Sequence, residues 1–345
     1  MTQNTASLQL SERLNCFVKL GEALKSLDSD QKLSLAARAK YANPWFEEKN
    51  VLLSLSNLAE MLAENNLKIF SSNYSTLDEP RIPKSIGVIM AGNIPAVGFH
   101  DALCVLLAGH TLLAKLSKDD TVLMCFLFDK ITEIEPRFAP FIQVVERLTL
   151  MDAVVCTGSN NSARYFEHYF GKYPNIIRKN RTSVAVLDGT ESPEEIALLA
   201  EDIFTYYGLG CRNVSKLFIP QESDITKIID HVEHCSYVIN QHKYANNYTY
   251  NRAIYLLNLE PFLDNDFAIF KESDALNSPL SVIHYERYCA KAPLLEKLKA
   301  DKDNIQCIVS KCPEIENKVA FGEAQKPNLS DFADGVDTME FLLDL

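Results

Sequence analysis

The 345-residue chain has no run of about 18 or more uncharged apolar residues, so no membrane-spanning helix is expected. The longest apolar stretch surrounds Ala102–Gly109 and is too short to cross a bilayer. The opening Met1-Thr2-Gln3-Asn4 lacks a basic segment followed by an apolar core, and no signal peptide is expected. Positive charge is in deficit: the formal net charge is −12, which argues against a nucleic-acid partner. An anionic substrate would need a local basic patch. No internal repeat and no low-complexity tract is present. No Cys/His spacing fits a standard zinc site. The nearest grouping, His231-Val-Glu-His234-Cys235, reads as a helix surface, so no metal is expected.

What is present suits a globular protein: 47% of residues are apolar and 23% charged. The length suggests two domains. Nine cysteines, an odd number, sit partly inside apolar runs such as Ala-Leu-Cys104-Val-Leu-Leu, where cysteine behaves as a small buried hydrophobe. A long chain without an export signal is expected to be cytoplasmic, with reduced thiols.

Residues 7 to about 65 carry apolar side chains at helical spacing: Leu8, Leu10, Leu14, Phe17, Val18 and Leu24. Segment 71–85 is polar, contains two prolines, and reads as a loop or an exposed arm; an arm would make a homo-oligomer contact. From residue 85 strand and helix patterns alternate. Strands are expected at 86–90, 111–115, 141–145, 153–156, 183–187, 216–220, 267–270, 281–284 and 306–309. Helices are expected at 95–108, 121–133, 159–170, 193–207 and 224–238. This alternation indicates parallel sheets covered by helices. The chain is read as 1–178, helical and then α/β; 179–325, a second α/β unit; and 326–345, a C-terminal segment.

Four places could carry chemistry. Cys211 lies in Tyr206-Tyr-Gly-Leu-Gly-Cys211-Arg-Asn between a helix and a strand. Gly208 and Gly210 permit unusual backbone angles there, and Arg212 could favour the thiolate. A structural cysteine in a glycine turn is the plainer reading of any single thiol, but none of the other eight has this setting. Gly92-Asn93-Ile-Pro95 follows a strand and opens a helix. Asn93 is either a helix cap or a donor to a developing oxyanion. Thr157-Gly158-Ser159 also joins strand to helix and could hold a phosphate, although it is no Gly-x-Gly-x-x-Gly fingerprint. Lys115 ends a strand, where it meets either a cofactor or solvent. The densest basic cluster, Arg178-Lys-Asn-Arg181, reads as a solvated loop, with coenzyme phosphates as the alternative.

Taken in order, Gly92-Asn-Ile-Pro95, Ala108-Gly-His-Thr-Leu-Leu-Ala-Lys-Leu-Ser117, Cys156-Thr-Gly-Ser159 and Gly208-Leu-Gly-Cys211 resemble the aldehyde dehydrogenase superfamily. Within it the chain is most similar to the LuxC-type fatty acyl-CoA reductases linked to bacterial luminescence. Lys243-Tyr-Ala-Asn-Asn-Tyr248 and the ending Pro327–Leu342 are similar to that family too. The similarity is good over about 85–219, patchy over 240–345 and negligible before 70.

The resemblance implies an α/β fold of the aldehyde dehydrogenase type: a Rossmann-type cofactor domain, an α/β catalytic domain and a helical N-terminal region. It implies that Cys211 is the nucleophile and Asn93 the side-chain donor of the oxyanion hole. Lys115 and Ser117 match positions at the adenosine ribose, and Thr157, Gly158 and Ser159 lie near the pyrophosphate. The implied cofactor is NADPH, with NADH as the alternative, and the implied partner is an acyl-CoA or acyl-protein thioester. There are departures. Ala163 stands where a second glycine is frequent. Ile177 stands where hydrolytic relatives carry the glutamate that activates water. Ala275-Leu-Asn-Ser-Pro279 replaces a Glu-x-Phe-Gly-Pro motif at the nicotinamide ribose. The implied reaction is reduction of an acyl thioester to aldehyde through acyl-Cys211. A cysteine acyltransferase, another non-hydrolytic aldehyde dehydrogenase relative and a non-enzymatic oligomerising relative stay open as alternatives.

Overall fold

Four helices open the chain in the computed structural model, which describes residues 8–345; the N-terminal leader reading lies outside the described residues. They are α1 (Leu10–Ser26), α2 (Ser29–Ala42), α3 (Glu48–Met61) and α4 (Glu64–Ser72). On α1, Cys16, Phe17, Leu20 and Leu24 are buried, the stripe expected of a helix with one apolar face. Gly21 lies on that stripe, where a Cβ would stand 3.0 Å from the Leu62 Cβ, so glycine lets α1 approach the end of α3 closely. Asp28 starts α2 with a reciprocal cap: its carboxylate accepts from the Gln31 N–H at 2.8 Å, and the Gln31 side chain accepts from the Asp28 N–H at 3.1 Å.

The chain divides into two units, one running to Lys179 and regaining Pro327–Leu345, the other Asn180–Lys326. The sequence boundary near 178 falls within a residue of this division. The C-terminal segment, read as separate, is part of the first unit.

The first unit holds a parallel five-stranded sheet. Its strands are β1 (Ser85–Ile89), β2 (Thr111–Lys115), β3 (Ile142–Val144), β4 (Ala153–Thr157) and β5 (Asn175–Arg178), in the order β3-β2-β1-β4-β5. The intervening helices are α5 (Phe99–Leu107), α6 (Thr121–Ile134) and α7 (Asn160–Phe170). The chain leaves β1 in one direction to β2 and β3, then returns past β1 to β4 and β5. Right-handed crossovers of opposite direction place α5 and α6 on one face and α7 on the other. On α5, every residue from Ala102 to Leu107 is buried, which accounts for the longest apolar stretch of the sequence without a membrane. The helices α1–α4 share one core with β1, β2, β4, α5 and α6.

In the second unit β6 (Thr182–Val186) is followed by α8 (Pro193–Phe204), β7 (Val214–Pro220), α9 (Ile225–Asp230) and α10 (His242–Leu257). Then come β8 (Leu263–Asp264), β9 (Ile269–Glu272), β10 (Val282–Tyr288), α11 (Lys291–Ala300) and β11 (Ile305–Ser310). The sheet order is β11-β6-β7-β10-β9-β8, parallel except at the short β8 edge. The helix expected at 224–238 is broken: α9 stops at Asp230, and a 3₁₀ stretch covers Glu233–Asn240.

One expectation needs correction. Arg178 does not belong to a solvated loop with the exposed Lys179 and Asn180, because it ends β5 and is 3% exposed. One of its nitrogens donates to the Asp101 carboxylate at 2.6 Å and to the Thr157 hydroxyl at 3.2 Å. The other donates at 2.8 Å to the hydroxyl of Thr338, the first residue of α12 (Thr338–Leu343). Burial lowers the Arg178 pKa, but Asp101 more than compensates, so the net shift is upward. Segment 71–85 runs from the end of α4 to the start of β1 as a loop, one of its two readings, and is tied to its own unit at two points. Leu77 is fully buried, its carbonyl accepts from Arg13 at 3.1 Å, and the Tyr74 hydroxyl donates to Asp337 at 2.7 Å.

Removing one partner of a buried pair leaves an uncompensated charge. Arg178→Ala is therefore expected to lower stability by about 3–5 kcal/mol in urea unfolding. The double variant Arg178→Met/Asp101→Leu should recover most of that loss. A single-variant loss below about 1 kcal/mol would show that the pair is solvated.

Candidate active site

The C-terminal ends of β1, β2 and β4 lie side by side. Ile89 of β1 is in register with Lys115 of β2 on one side and with Cys156 of β4 on the other. Gly92-Asn93, Lys115–Ser117 and Thr157–Ser159 therefore emerge together, at the point where the strand order reverses. Open α/β sheets bind ligands at such switch points.

Asn93 does not open a helix. A turn occupies 93–98, and α5 begins only at Phe99. The turn is pinned at Ala96, whose backbone is left-handed (φ 56°) and whose N–H donates to Asp120 Oδ2 at 2.7 Å. Ser54 adds a bond to the Pro95 carbonyl at 2.7 Å. Gly92 lets this turn rest against the β2 exit, since a Cβ there would stand 2.5 Å from Ser117 Oγ. Ser117 itself accepts from the Asp119 N–H at 3.2 Å. Lys115 is half-buried. Ser159 caps α7, accepting from the Ser162 N–H at 3.2 Å, and the Thr157 hydroxyl receives the Arg178 bond.

Asp120 is 2% exposed, and burial pushes its pKa from 3.8 up to about 8; the Ala96 N–H pulls the other way and loses. Oδ1 is buried without a partner.

Cys211 belongs to the second unit and is exposed on the connection from α8 to β7. That connection is unusual: Tyr206 (φ 55°), Tyr207 (φ 60°) and Gly208 (φ 76°) are all left-handed in succession. Glycine takes this backbone at no steric cost; two tyrosines do not. Gly210, expected to share this role, is not among the positive-φ residues. The strain is held by Asn213, a residue the sequence reading passed over. It is 3% exposed and its amide donates to the carbonyls of Asp202, Ile203 and Thr205 at 3.1, 3.1 and 2.8 Å. Its oxygen accepts from the Gly210 N–H at 2.8 Å. One side chain thus ties both ends of the turn. Ser183 donates to the Cys211 carbonyl at 2.9 Å. Arg212, read as a thiolate partner, donates Nε to the Ala324 carbonyl at 2.5 Å. Asp202 holds the same 320s strap through the N–H groups of Gly322 and Ala324, at 2.7 and 2.9 Å.

The other thiols differ. Burial raises the pKa of Cys104 and Cys125, and pushes Cys16 and Cys156 up to about 12. Cys289 is exposed but lies past the end of β10, with no strained turn. Of the His231–Cys235 grouping, His234 and Cys235 come within 4.8 Å of Glu201 through their ligand-type atoms, with His234 and Glu201 3.5 Å apart. No described helix is long and apolar enough to cross a membrane.

A family model described as acyl-CoA reductase (LuxC) matches residues 8–238. The match begins in the helical region, where the motifs showed no likeness, and ends before the Lys243–Tyr248 and 327–342 stretches. No curated protein matches the chain. Among solved structures, aldehyde dehydrogenase 21 from Physcomitrella patens, in complex with the reaction product succinate, superposes with a TM-score of 0.66 at 11% identity, covering 99% of this chain and 85% of the other. An NADP dependent enzyme of E. coli gives 0.66 at 11%, covering 93% and 77%. A Mycobacterium tuberculosis aldehyde dehydrogenase complexed with NAD+ gives 0.65 at 13%, covering 91% and 75%. At these identities the likeness establishes the fold: a Rossmann-type aldehyde dehydrogenase architecture.

Two measurements test the geometry. Because the folded pKa of Asp120 is raised, its contribution to stability is full below about pH 4 and is lost as pH rises through about 8. Asp120→Asn is expected to flatten the fall in stability between pH 5 and 8; an unchanged slope would assign that fall elsewhere. Asn213→Ala leaves buried carbonyls unsatisfied. It should cost about 2–4 kcal/mol and speed hydrogen exchange at Gly210, with protection unaltered in β9 and β10.

Proposed function

The chain belongs to the LuxC acyl-CoA reductase family, and from that membership we propose that it reduces a fatty acyl-CoA to the aldehyde through a thioester on Cys211, using NADPH. The observation that carries the reading is the placement of Cys211. It is exposed, on a strained turn held by one buried amide, while most of the other thiols are buried. A turn kept in a high-energy backbone by its surroundings is typical of a functional site.

The donor set at the first sheet suits a dinucleotide. Lys115 ends β2, where its ammonium can donate to an adenosine ribose hydroxyl or to a 2′-phosphate. Lys115 and Ser117 would hold the adenosine ribose; Thr157, Gly158 and Ser159, at the N-terminus of α7, would face the pyrophosphate. When bound, the reduced nicotinamide supplies the hydride. NADH is the alternative that cofactor titration decides.

Cys211 attacks the thioester carbonyl carbon as thiolate. The bond to the coenzyme A sulfur breaks, coenzyme A leaves, and the acyl group stays on Cys211. The developing oxyanion is assigned to the Asn93 side chain and the Cys211 N–H. After reduction of the carbonyl carbon, the Cys211 sulfur is expelled and the aldehyde forms. Water is a poor competitor at the acyl-enzyme stage. Thioester hydrolysis needs a base beside the ester, and the position that would supply one is Ile177 on β5, which cannot accept a proton.

Acyl-CoA without cofactor should add the acyl mass to the peptide containing Cys211, and NADPH should then release aldehyde. Cys211→Ser should lose at least about a thousandfold of the turnover rate. An acylated Cys211 that ignores both nicotinamides would make the protein an acyltransferase instead; no label with any acyl-CoA would sink the reading.

A further inference from the structure

Glu201, His234 and Cys235 of the second unit bring a carboxylate, an imidazole and a thiol together, and nothing in the reaction above uses them. Their donor atoms all lie within 4.8 Å of one another. Glu201 stands in the last turn of α8; His234 and Cys235 are neighbours on the 3₁₀ stretch Glu233–Asn240, which packs against α8. His234 Nε2 is 3.5 Å from Glu201 Oε1. The other carboxylate oxygen, Oε2, accepts from the Thr205 hydroxyl at 3.4 Å, which leaves Oε1 turned to the cluster.

At bonds of about 2.0–2.2 Å, two donors of a tetrahedral zinc ion stand about 3.3–3.6 Å apart. The His234–Glu201 separation is already such an edge, and a closure of roughly 1 Å at most brings the Cys235 sulfur, bonded at about 2.3 Å, to a third corner. A thiolate beside an imidazole selects zinc over magnesium or calcium, which take oxygen donors. One carboxylate and one thiolate cancel the two positive charges, so the ion brings no net charge into the protein. Cys235 is fully buried, whereas His234 and Glu201 are partly exposed. The set therefore runs from the interior to the surface, where the ion arrives from solvent and keeps a water at its fourth position. Local Cys/His spacing could not show this, since the third donor comes from a different helix.

We propose that Glu201, His234 and Cys235 form a zinc site that clamps α8 to the 3₁₀ stretch. On binding, His234 ligates through Nε2, the Cys235 S–H bond breaks, its proton leaves to solvent, and the sulfur bonds the metal. The clamp bears on the Cys211 turn through the chain that follows Glu201. The carbonyls of Asp202 and Thr205 both accept from the Asn213 amide, whose oxygen holds the Gly210 N–H. A loaded site thus fixes the helix end from which that turn hangs. The proposal stands apart from the acyl-enzyme reading and needs no turnover to be tested.

The test uses the full chain, stripped with a chelator and kept reduced, with Co²⁺ and Zn²⁺ alone as probes. Co²⁺ should give the intense visible bands of tetrahedral coordination and a thiolate-to-cobalt charge-transfer band, and Zn²⁺ should displace it. Cys235→Ser should abolish the charge-transfer band, and Cys211→Ser should keep it. His234→Ala should weaken zinc at least about a hundredfold, since even an outer-shell change costs about 10–100-fold. Its position is exposed, so the metal-free Tm should stay within about 2 °C. Zinc should slow hydrogen exchange at Gly210 in the unsubstituted chain and not in His234→Ala. A weak octahedral Co²⁺ spectrum without charge transfer, a band that disappears with Cys211 rather than Cys235, or a zinc affinity untouched by His234→Ala would each overturn the site. Zinc bound with exchange at Gly210 unchanged would overturn the clamp.

Discussion

The first unit is organised around one buried charge. Arg178 sits at the end of β5 and bonds three separate parts of the unit: Asp101 at the start of α5, Thr157 at the end of β4, and Thr338 at the start of α12. The guanidinium turns its two terminal nitrogens to these partners, which are thereby held in place, while its Nε is buried without one. Thr157 is one of the residues proposed at the cofactor pyrophosphate, so the ion pair also sets the position of a binding edge. Thr338 belongs to a segment more than 150 residues further on, and its bond helps explain why the C-terminal stretch returns to this unit. Isolated buried ion pairs add little net stability, but they specify geometry, since alternative packings leave a charge unpaired.

The second unit solves a related problem with a neutral side chain. Where α8 ends and β7 has not begun, backbone carbonyls lack regular partners. Asn213 reaches back and satisfies three of them, with its oxygen on the Gly210 N–H. That supports three left-handed residues in a row and keeps Cys211 at the surface. Asp202 works from the other side: its backbone carbonyl meets Asn213 and its carboxylate meets the strap at Gly322 and Ala324. Burial raises the Asp202 pKa to about 6 against the pull of those two N–H groups, so the strap is tied by a group near its titration range. Asp120 holds the Asn93 turn in the first unit in a comparable way, through the Ala96 N–H. In the first unit a buried carboxyl group fixes the loop that bears a candidate functional residue; in the second it fixes the strap whose Ala324 carbonyl accepts from Arg212, the neighbour of Cys211.

Much of this was legible in the chain itself, because it depends on local periodicity and on short motifs. The alternation of apolar runs from residue 85 onward located most strands of both sheets and the helices α6, α7 and α8, and it implied parallel sheets. The motifs around Asn93, Lys115, Thr157–Ser159 and Cys211, taken in order, pointed to the family that the match over 8–238 establishes. The Gly-x-Gly-Cys setting alone set one cysteine apart from eight. What the sequence could not show was which partners distant residues would find. Arg178 looked like part of a charged loop because its neighbours Lys179 and Asn180 are exposed; only β5 pairing beside β4, with α5 packed on the sheet, turns it inward to Asp101. The helix start moved from Pro95 to Phe99 because Asp120, across the turn, captures the Ala96 N–H. The left-handed tyrosines were invisible for the same reason, since a residue prefers such a backbone only when its surroundings impose it. The chain by itself determined the elements and the reactive residue types; long-range hydrogen bonds and burial decided which backbone each one adopts and which charges are drawn out of water.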